Sequence, residues 1–379
     1  MTDAFIAVQV LFLLALSGLL RAMPVLVPPT VPFGVRVPSA RADEPVITAA
    51  TRTYRRGTLA CGLVVAFASA ATNAFAAGSA DTLAATAATS LAALFALSWA
   101  LYYRAHRSIA AAKAEHAWYQ DVPQGVAADL LSQAQHERFP WLWALPAVLV
   151  TAATAITGAF RYHQLPASLT THWNSHGRPA GHAATSLGSA FGPVLLQAAV
   201  TAVLLAATVL VLRSTPKLDA EHPMASAAQH RILVRWIARG MVLLALGVDL
   251  SLLGTSFMIW TVLRPSGAAM LTVTALPVLA TAAVLAIAVL PVRALRAARA
   301  AQADDRRTGH GTGLANRDDD RFWRGGVFYL NSEDSAVFVP KRFGIGWTVN
   351  LGRPAGWAVL TALLVLPLIA AFISTRLGS

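Results

Sequence analysis

The residues best suited to chemistry in this chain are histidines. Four of its ten, His163, His172, His176 and His182, fall inside Arg161–Ser186. Imidazole is a common zinc ligand and titrates near neutral pH, so the cluster suits metal binding or proton sensing. His172 and His176 are four residues apart, a spacing that would place both on one face of a helix. Asn174 and Gly177 favour a turn instead, and Pro179 biases Arg178 toward extended geometry. The expected form is therefore a compact, hairpin-like loop capped by His and Asn hydrogen bonds. The segment holds no carboxylate, so the general base of a helical metalloprotease motif is missing. A second set, His106, Glu115, His116, Asp129, His136 and Glu137, is spread over 104–140 and reads as the polar face of a solvated helix. A nucleophile, a base and an orienting group cannot be assembled from these residues. No enzyme activity and no cofactor is expected; the four loop histidines are the first metal candidates, and a carboxylate–histidine site within 104–140 is the lesser alternative.

Asp249 is the other chemically loaded position. It lies inside an apolar run, nine residues after Gly240 and thirteen before Val262. A carboxylate at that depth costs several kcal/mol unless it faces protein, water or a partner. Gln197, Asn73 or a Ser/Thr hydroxyl from another helix could bond it. One reading is a proton-linked or substrate-binding site. The other is a neutral hydrogen bond between helices.

These residues must be positioned by a membrane bundle. Of 379 residues, 56% are hydrophobic and only 13% charged, against roughly 25% charged in ordinary soluble domains. A single cysteine, Cys61, excludes an internal disulfide framework. Eight stretches reach the roughly 20 apolar residues that a helix needs to cross the hydrocarbon core. They are Ala4–Leu20, Thr58–Ala77, Thr82–Tyr103, Trp141–Phe160, Ser189–Leu212, Gly240–Val262, Ala269–Pro291 and Ala355–Ile373. The first could run on toward Val27, past Arg21 and Pro24. Its flanking charges are the reverse of a secretory signal, so it is expected to remain as an anchor. The fold class is an all-α polytopic membrane protein of about eight spans.

Basic residues orient the bundle. The connections 21–57, 104–140, 213–239 and 292–354 hold 26 of the 30 Lys+Arg, and the opposite side holds four. Lys and Arg are retained in the cytoplasm, so both termini and the histidine loop 161–188 are expected outside a bacterial plasma membrane. The net charge of +12 thus reports topology and contact with anionic membrane lipid, not nucleic-acid binding. The 27 arginines against three lysines, with the abundant alanine, point to a GC-rich genome and carry no mechanism.

Two further segments sit on the arginine-rich side. Ala298–Asn316 has no apolar period and reads as a linker. Val327–Leu330 and Ala336–Pro340, separated by Asn331–Asp334, read as a hairpin, with a third apolar run at Gly346–Leu351. A small β motif is therefore expected before the last helix. Val31, Phe33, Val35 and Val37 alternate with Pro32, Gly34, Arg36 and Pro38, the pattern of an edge strand that tolerates proline. That segment is expected either to dock beside the 327–351 strands or to lie independently along the headgroups.

The run Tyr162, Leu165-Pro166, Leu169, Thr171-His172-Trp173-Asn174, Gly177 and Pro179 resembles the short extracytoplasmic domain of SdpI-type bacterial membrane proteins. The chain departs from that pattern at Thr170, where a second proline is usual, and at Ala180, where an acid is usual. It also lacks the basic residue that normally precedes the next helix. The string Phe338–Asn350, with Phe338, Pro340, Lys341, Arg342, Phe343, Gly344, Gly346 and Trp347, resembles a second small domain without assigned chemistry. The resemblance implies a non-catalytic role in immunity to a secreted peptide or in envelope sensing, with a cytoplasmic regulator as partner. On that reading His172, Trp173, Asn174, His176, Gly177 and Pro179 meet the ligand. A secondary transporter using Asp249 and a membrane metalloenzyme using the histidines are the competing expectations.

Overall fold

The computed structural model describes residues 2–75, 80–125, 137–173, 177–213, 218–289, 292, 294–297, 300, 312–344, 346–361 and 365. Seven helices within them are long and apolar enough to cross a membrane. In chain order they are α1 (Thr2–Leu26), α2 (Pro45–Phe75), α3 (Ala80–Glu115), α4 (Trp141–Arg161), α5 (Leu187–Leu212), α6 (Pro223–Ile259) and α7 (Gly267–Val289). The chain is a multi-pass membrane protein. The eighth apolar run begins as helix at 354–361, and most of it lies outside the described residues.

Each helix carries most of its apolar run and several outrun it at one end, while α6 stops at Ile259, three residues short of the expected Val262. α1 continues through Arg21 and Pro24 to Leu26. α6 has 37 residues, about 55 Å at 1.5 Å per residue, well beyond a hydrocarbon core of about 30 Å. Its first four turns carry His230, Arg231 and Arg235 among apolar residues, so the helix carries the bundle's geometry into the basic layer. Packing runs α3–α2–α1–α7–α6, with α4 and α5 both against α6. α1 therefore joins two helical groups. Small residues permit the closest approaches: Gly62 of α2 meets Ser17 of α1, and Gly247 of α6 meets Ala280 of α7.

Short strands occur at both ends of the bundle. At one end β2 (Ser168–Trp173) pairs antiparallel with β3 (Pro179–Ala184), the hairpin expected from Asn174, Gly177 and Pro179. At the arginine-rich end β1 (Gln124–Gly125) pairs with β4 (Ala315–Asn316). There too β5 (Trp323–Arg324) pairs with β6 (Phe328–Tyr329), and β7 (Phe338–Pro340) with β8 (Trp347–Val349).

The pairing differs from the expected hairpin between 327–330 and 336–340. Gly325 and Gly326, both at positive φ, turn the chain one strand earlier than Asn331–Asp334 does. Asn331–Asp334 instead folds around Asn350. The Asn350 side chain donates to the carbonyls of Asn331 and Ala336 at 2.8 and 3.1 Å and accepts from the Asn331 and Gly352 amides. Asn350 is fully buried, and the turn is organised by that one amide.

Candidate functional site

Three sequence-derived sites occupy three levels of one bundle. The hairpin level is built on Leu169. Its side chain, 1% exposed, packs on Ala190 and Val194 of α5 and on Ile259 and Trp260 at the end of α6. Trp260 donates its indole N–H to the Ala190 carbonyl at 2.9 Å. Gly177 approaches so closely that a Cβ would lie 2.8 Å from the Ser266 amide nitrogen, which ties the hairpin tip to the α6–α7 connection. The serines at 186 and 189 form a reciprocal cap that starts α5 directly after β3.

The histidines take the opposite, exposed side. Thr170 stands across from His182 and His172 across from Gly181. The Thr170 hydroxyl contacts His182 Nδ1 at 3.3 Å, and the Thr171 hydroxyl contacts His172 Nδ1 at 3.2 Å. His172 lies in a strand, so it is not in the helix that a four-residue ligand spacing requires. His163 is in a separate turn, edge-on to Tyr162. Asn174 and His176 lie outside the described residues. Trp173 and Pro179 form the last pair before the tip. Among the described residues no three His, Cys, Asp or Glu side chains gather to hold a metal.

The middle level is Asp249, fully buried. The Thr201 hydroxyl of α5 lies 2.8 and 2.9 Å from its two carboxyl oxygens. Gln197 of α5 donates to the Asp249 backbone carbonyl at 3.3 Å. Thr151 of α4 lies alongside. A hydroxyl, that of Thr201, is thus the carboxyl group's partner, and Gln197 meets only the backbone. Asn73 instead bonds Gln9 and Thr86. Gln197 Oε1 is buried without a hydrogen-bond partner, and among the described residues no basic side chain pairs with the carboxylate.

Asp249→Asn retains a bond to Thr201, so its folded yield and melting temperature in detergent should match wild type. Asp249→Leu strands the hydroxyl and should lower stability by about 1 kcal/mol. A folded Asp249→Asn protein that has lost function would show that the ionisable proton is needed, beyond the helix contact.

The third level is the arginine-rich end. Val31–Val37 docks there, but not as an edge strand. Pro32–Gly34 is a 3-10 turn with Phe33 at φ 47° and Gly34 at φ 78°. Proline supplies no ladder donor, and glycine permits the left-handed turn. Its bonds go sideways. Arg342 donates to the Gly34 carbonyl at 3.0 Å, the Arg36 amide donates to Asp320 at 3.0 Å, and His106 Nδ1 contacts the Phe33 carbonyl at 2.8 Å. A Cβ on Gly34 would lie 2.7 Å from Gly326 Cα. Phe33, Tyr54, Tyr102 and Phe343 close the contact, with Tyr102 and Phe343 centroids 4.6 Å apart.

Three consecutive acids bind this end together. Asp318 and Asp320 accept from Lys113 at 2.8 and 2.6 Å. Asp319 pairs with Arg36 at 3.3 Å. Arg342, its side chain 4% exposed, bonds both Asp319 and Asp320 and lies over the Trp323 ring at 4.9 Å. His106 thus serves the docked segment and Lys113 the acids beside it, so this stretch of α3 is not a merely solvated face. Nearby, burial pushes the Tyr119 phenol well above its ordinary range. Of the remaining motif residues, Phe338 is exposed, Lys341 reaches solvent, and Gly344 and Gly346 turn β7 into β8 at positive φ. Pro340 pairs with Trp347. A cavity of about 270 Å³ lies between Lys341, Arg342 and Trp347, the end of α1, and Gln229 and His230 of α6.

The sequence does not single out Asp318–Asp320, nor which hydroxyl serves Asp249, nor the packing roles of Asn350 and Trp260. Three adjacent acids inside the most basic connection were the available signal for the first.

Two family models match the chain. A domain of unknown function (DUF1648) covers residues 149–197, from mid-α4 through the hairpin into α5. A family of unknown function (DUF5808) covers 332–357, from the Asn350-centred turn to the start of the last helix. No curated protein and no solved structure matches the chain. The two stretches are thus similar to domains without an assigned activity, and they coincide with the hairpin and the Arg342 module.

Proposed function

We propose that this is an SdpI-type envelope protein that acts in immunity or sensing without catalysis, with the hairpin outside and the Arg342 module in the cytoplasm. The observation that supports it is the reach of α6. Its C-terminal end, with Ile259 and Trp260, seats Leu169 of the hairpin. Its N-terminal turns, with Gln229, His230 and Leu233, line the cavity shared with Lys341, Arg342 and Trp347. A ligand on the exposed hairpin face that prefers one packing of α6 would bias the module at the other end. The ligand class is a membrane-active peptide that meets His172, Trp173, Gly177 and His182.

The test is deletion of the gene, challenge with membrane-active peptides, and complementation. Loss should raise sensitivity to at least one peptide, and a His172→Ala/His182→Ala protein should fail to restore resistance at normal abundance. Unchanged sensitivity across a broad panel would sink the reading. Orientation is checked with an impermeant thiol probe on His172→Cys and Phe338→Cys in a Cys61→Ser background. Labelling from opposite sides is expected.

A second reading, secondary transport, is favoured by the buried Asp249 and the unsatisfied Gln197 Oε1 beside it. Ion-driven solute uptake lost in Asp249→Asn would support it over sensing.

A further inference from the structure

Where α1 and α2 leave the apolar layer, they and the connection between them line an open pocket of about 570 Å³, inside the roughly 300–1,000 Å³ range of small-molecule sites. Four guanidinium groups line it, Arg21 from α1 and Arg52, Arg55 and Arg56 from α2, with the single carboxylate Asp43. Arg21 directly follows the apolar run Ala4–Leu20, and Arg56 lies two residues before Thr58. All four cations therefore sit at headgroup depth.

Their charge is not balanced within the described protein. Arg21 donates to the Arg55 backbone carbonyl at 2.8 Å, which satisfies a hydrogen bond but no charge. Arg55 Nε is buried without a hydrogen-bond partner, and Arg21 and Arg296 repel its guanidinium. Among the described residues no carboxylate pairs with Arg52, Arg55 or Arg56. The contrast with Arg36, Lys113 and Arg342, which Asp318–Asp320 neutralise at the same end of the bundle, is direct. Pro24, Pro28, Pro29 and Pro32 form the facing wall and bring no backbone N–H. An anion with several acceptor oxygens satisfies such a site, and guanidinium matches phosphate.

We propose that this pocket binds the phosphate of an anionic phospholipid headgroup in the leaflet at the arginine-rich end. The surface below it favours a lipid over a free phosphate. Arg52, Arg56, Leu59 and Leu63 follow one another at helical spacing on α2. Leu59 is 39% and Leu63 52% exposed, so a cationic head position continues into an open apolar track for an acyl chain. The inference rests on the membrane bundle alone, and the sensing reading can fail without affecting it.

The test uses full-length protein in detergent, loaded from micelles doped with phosphatidylglycerol or phosphatidylcholine, with retained lipid counted by native mass spectrometry. Arg52 and Arg56 are exposed, so Arg52→Gln/Arg56→Gln should fold. It should hold phosphatidylglycerol about thirtyfold more weakly, which is about 1 kcal/mol for each of the two arginines removed. Arg104→Gln/Arg107→Gln, also exposed, should leave retention unchanged, and Arg52→Lys/Arg56→Lys should keep most of it. Phosphatidylcholine held as well as phosphatidylglycerol by wild type would overturn the site, as would wild-type retention in the Gln pair. Inorganic phosphate that stabilises the protein while no lipid is retained would assign a soluble anion and overturn the headgroup.

Discussion

Replacing Arg342 with alanine is expected to release the 318–351 module from the bundle. The side chain is 4% exposed and bonds Asp319, Asp320 and the Gly34 carbonyl together. Its loss leaves three acids against Arg36 and Lys113, with a carbonyl of the docked turn unsatisfied. Removing one partner from a buried pair typically costs about 3–5 kcal/mol. Asp319 and Asp320 are 22% and 30% exposed and keep other cations, so about 3 kcal/mol is expected here. Limited proteolysis in detergent should cut the chain within 318–351 much faster than wild type, while the helices stay protected. Lysine at 342 keeps one charge but cannot reach two carboxylates and a carbonyl at once. It should recover less than half of the protection. An alanine variant as resistant as wild type would mean that Phe33, Tyr102 and Phe343 hold the module without the ion pairs.

The second large effect is expected from Trp260→Ala. The ring is 1% exposed. It packs against Phe191 and Phe257 and lies so close to Gly158 that a Cβ there would be 2.6 Å from it. Deleting it opens a cavity beneath Leu169 and removes the bond to Ala190, at a cost of about 3–5 kcal/mol. Thermal unfolding in detergent should show the loss. Trp260→Phe, which keeps most of the bulk and loses the N–H, should cost about 1 kcal/mol. In the sensing reading the two variants differ in function as well. The alanine protein should bind peptide at the hairpin without protecting cells, because the hairpin no longer bears on α6. A folded Trp260→Ala protein that still confers full protection would show that α6 does not carry the coupling.

Much of the architecture was legible from short windows of sequence. Each of the seven described spans lies on an apolar run found by counting, because in lipid a helix must satisfy its own backbone and offer an apolar surface. The hairpin was legible from Gly177 and Pro179, whose preferences are local. The helix ends were not, since Pro45–Gly57 and Pro223–Arg239 are helical but interrupted by arginine, and hydropathy reports only the uninterrupted part in lipid. The strand partners were also misread. Asn331–Asp334 has turn chemistry, yet Gly325-Gly326 turns first and Asn350, nineteen residues after Asn331, claims the later loop.

Alternation over Val31–Val37 suggested a strand, and burial of Val31, Phe33, Val35 and Val37 is what that pattern correctly reported. The geometry was decided by Pro32, Gly34 and a guanidinium 308 residues away.

Composition and the placement of arginine alone determined that this is a polytopic membrane protein and which segments share a side, because transfer of apolar and charged groups is additive along a chain. Only the folded molecule decided that Thr201 serves Asp249, that Asp318–Asp320 neutralise one set of cations and leave Arg52, Arg55 and Arg56 without a carboxylate, and that α6 seats the hairpin at one end and lines the cavity beside the Arg342 module at the other. Those outcomes depend on which distant side chains meet, and hydrogen bonds and ion pairs act only across a few ångströms.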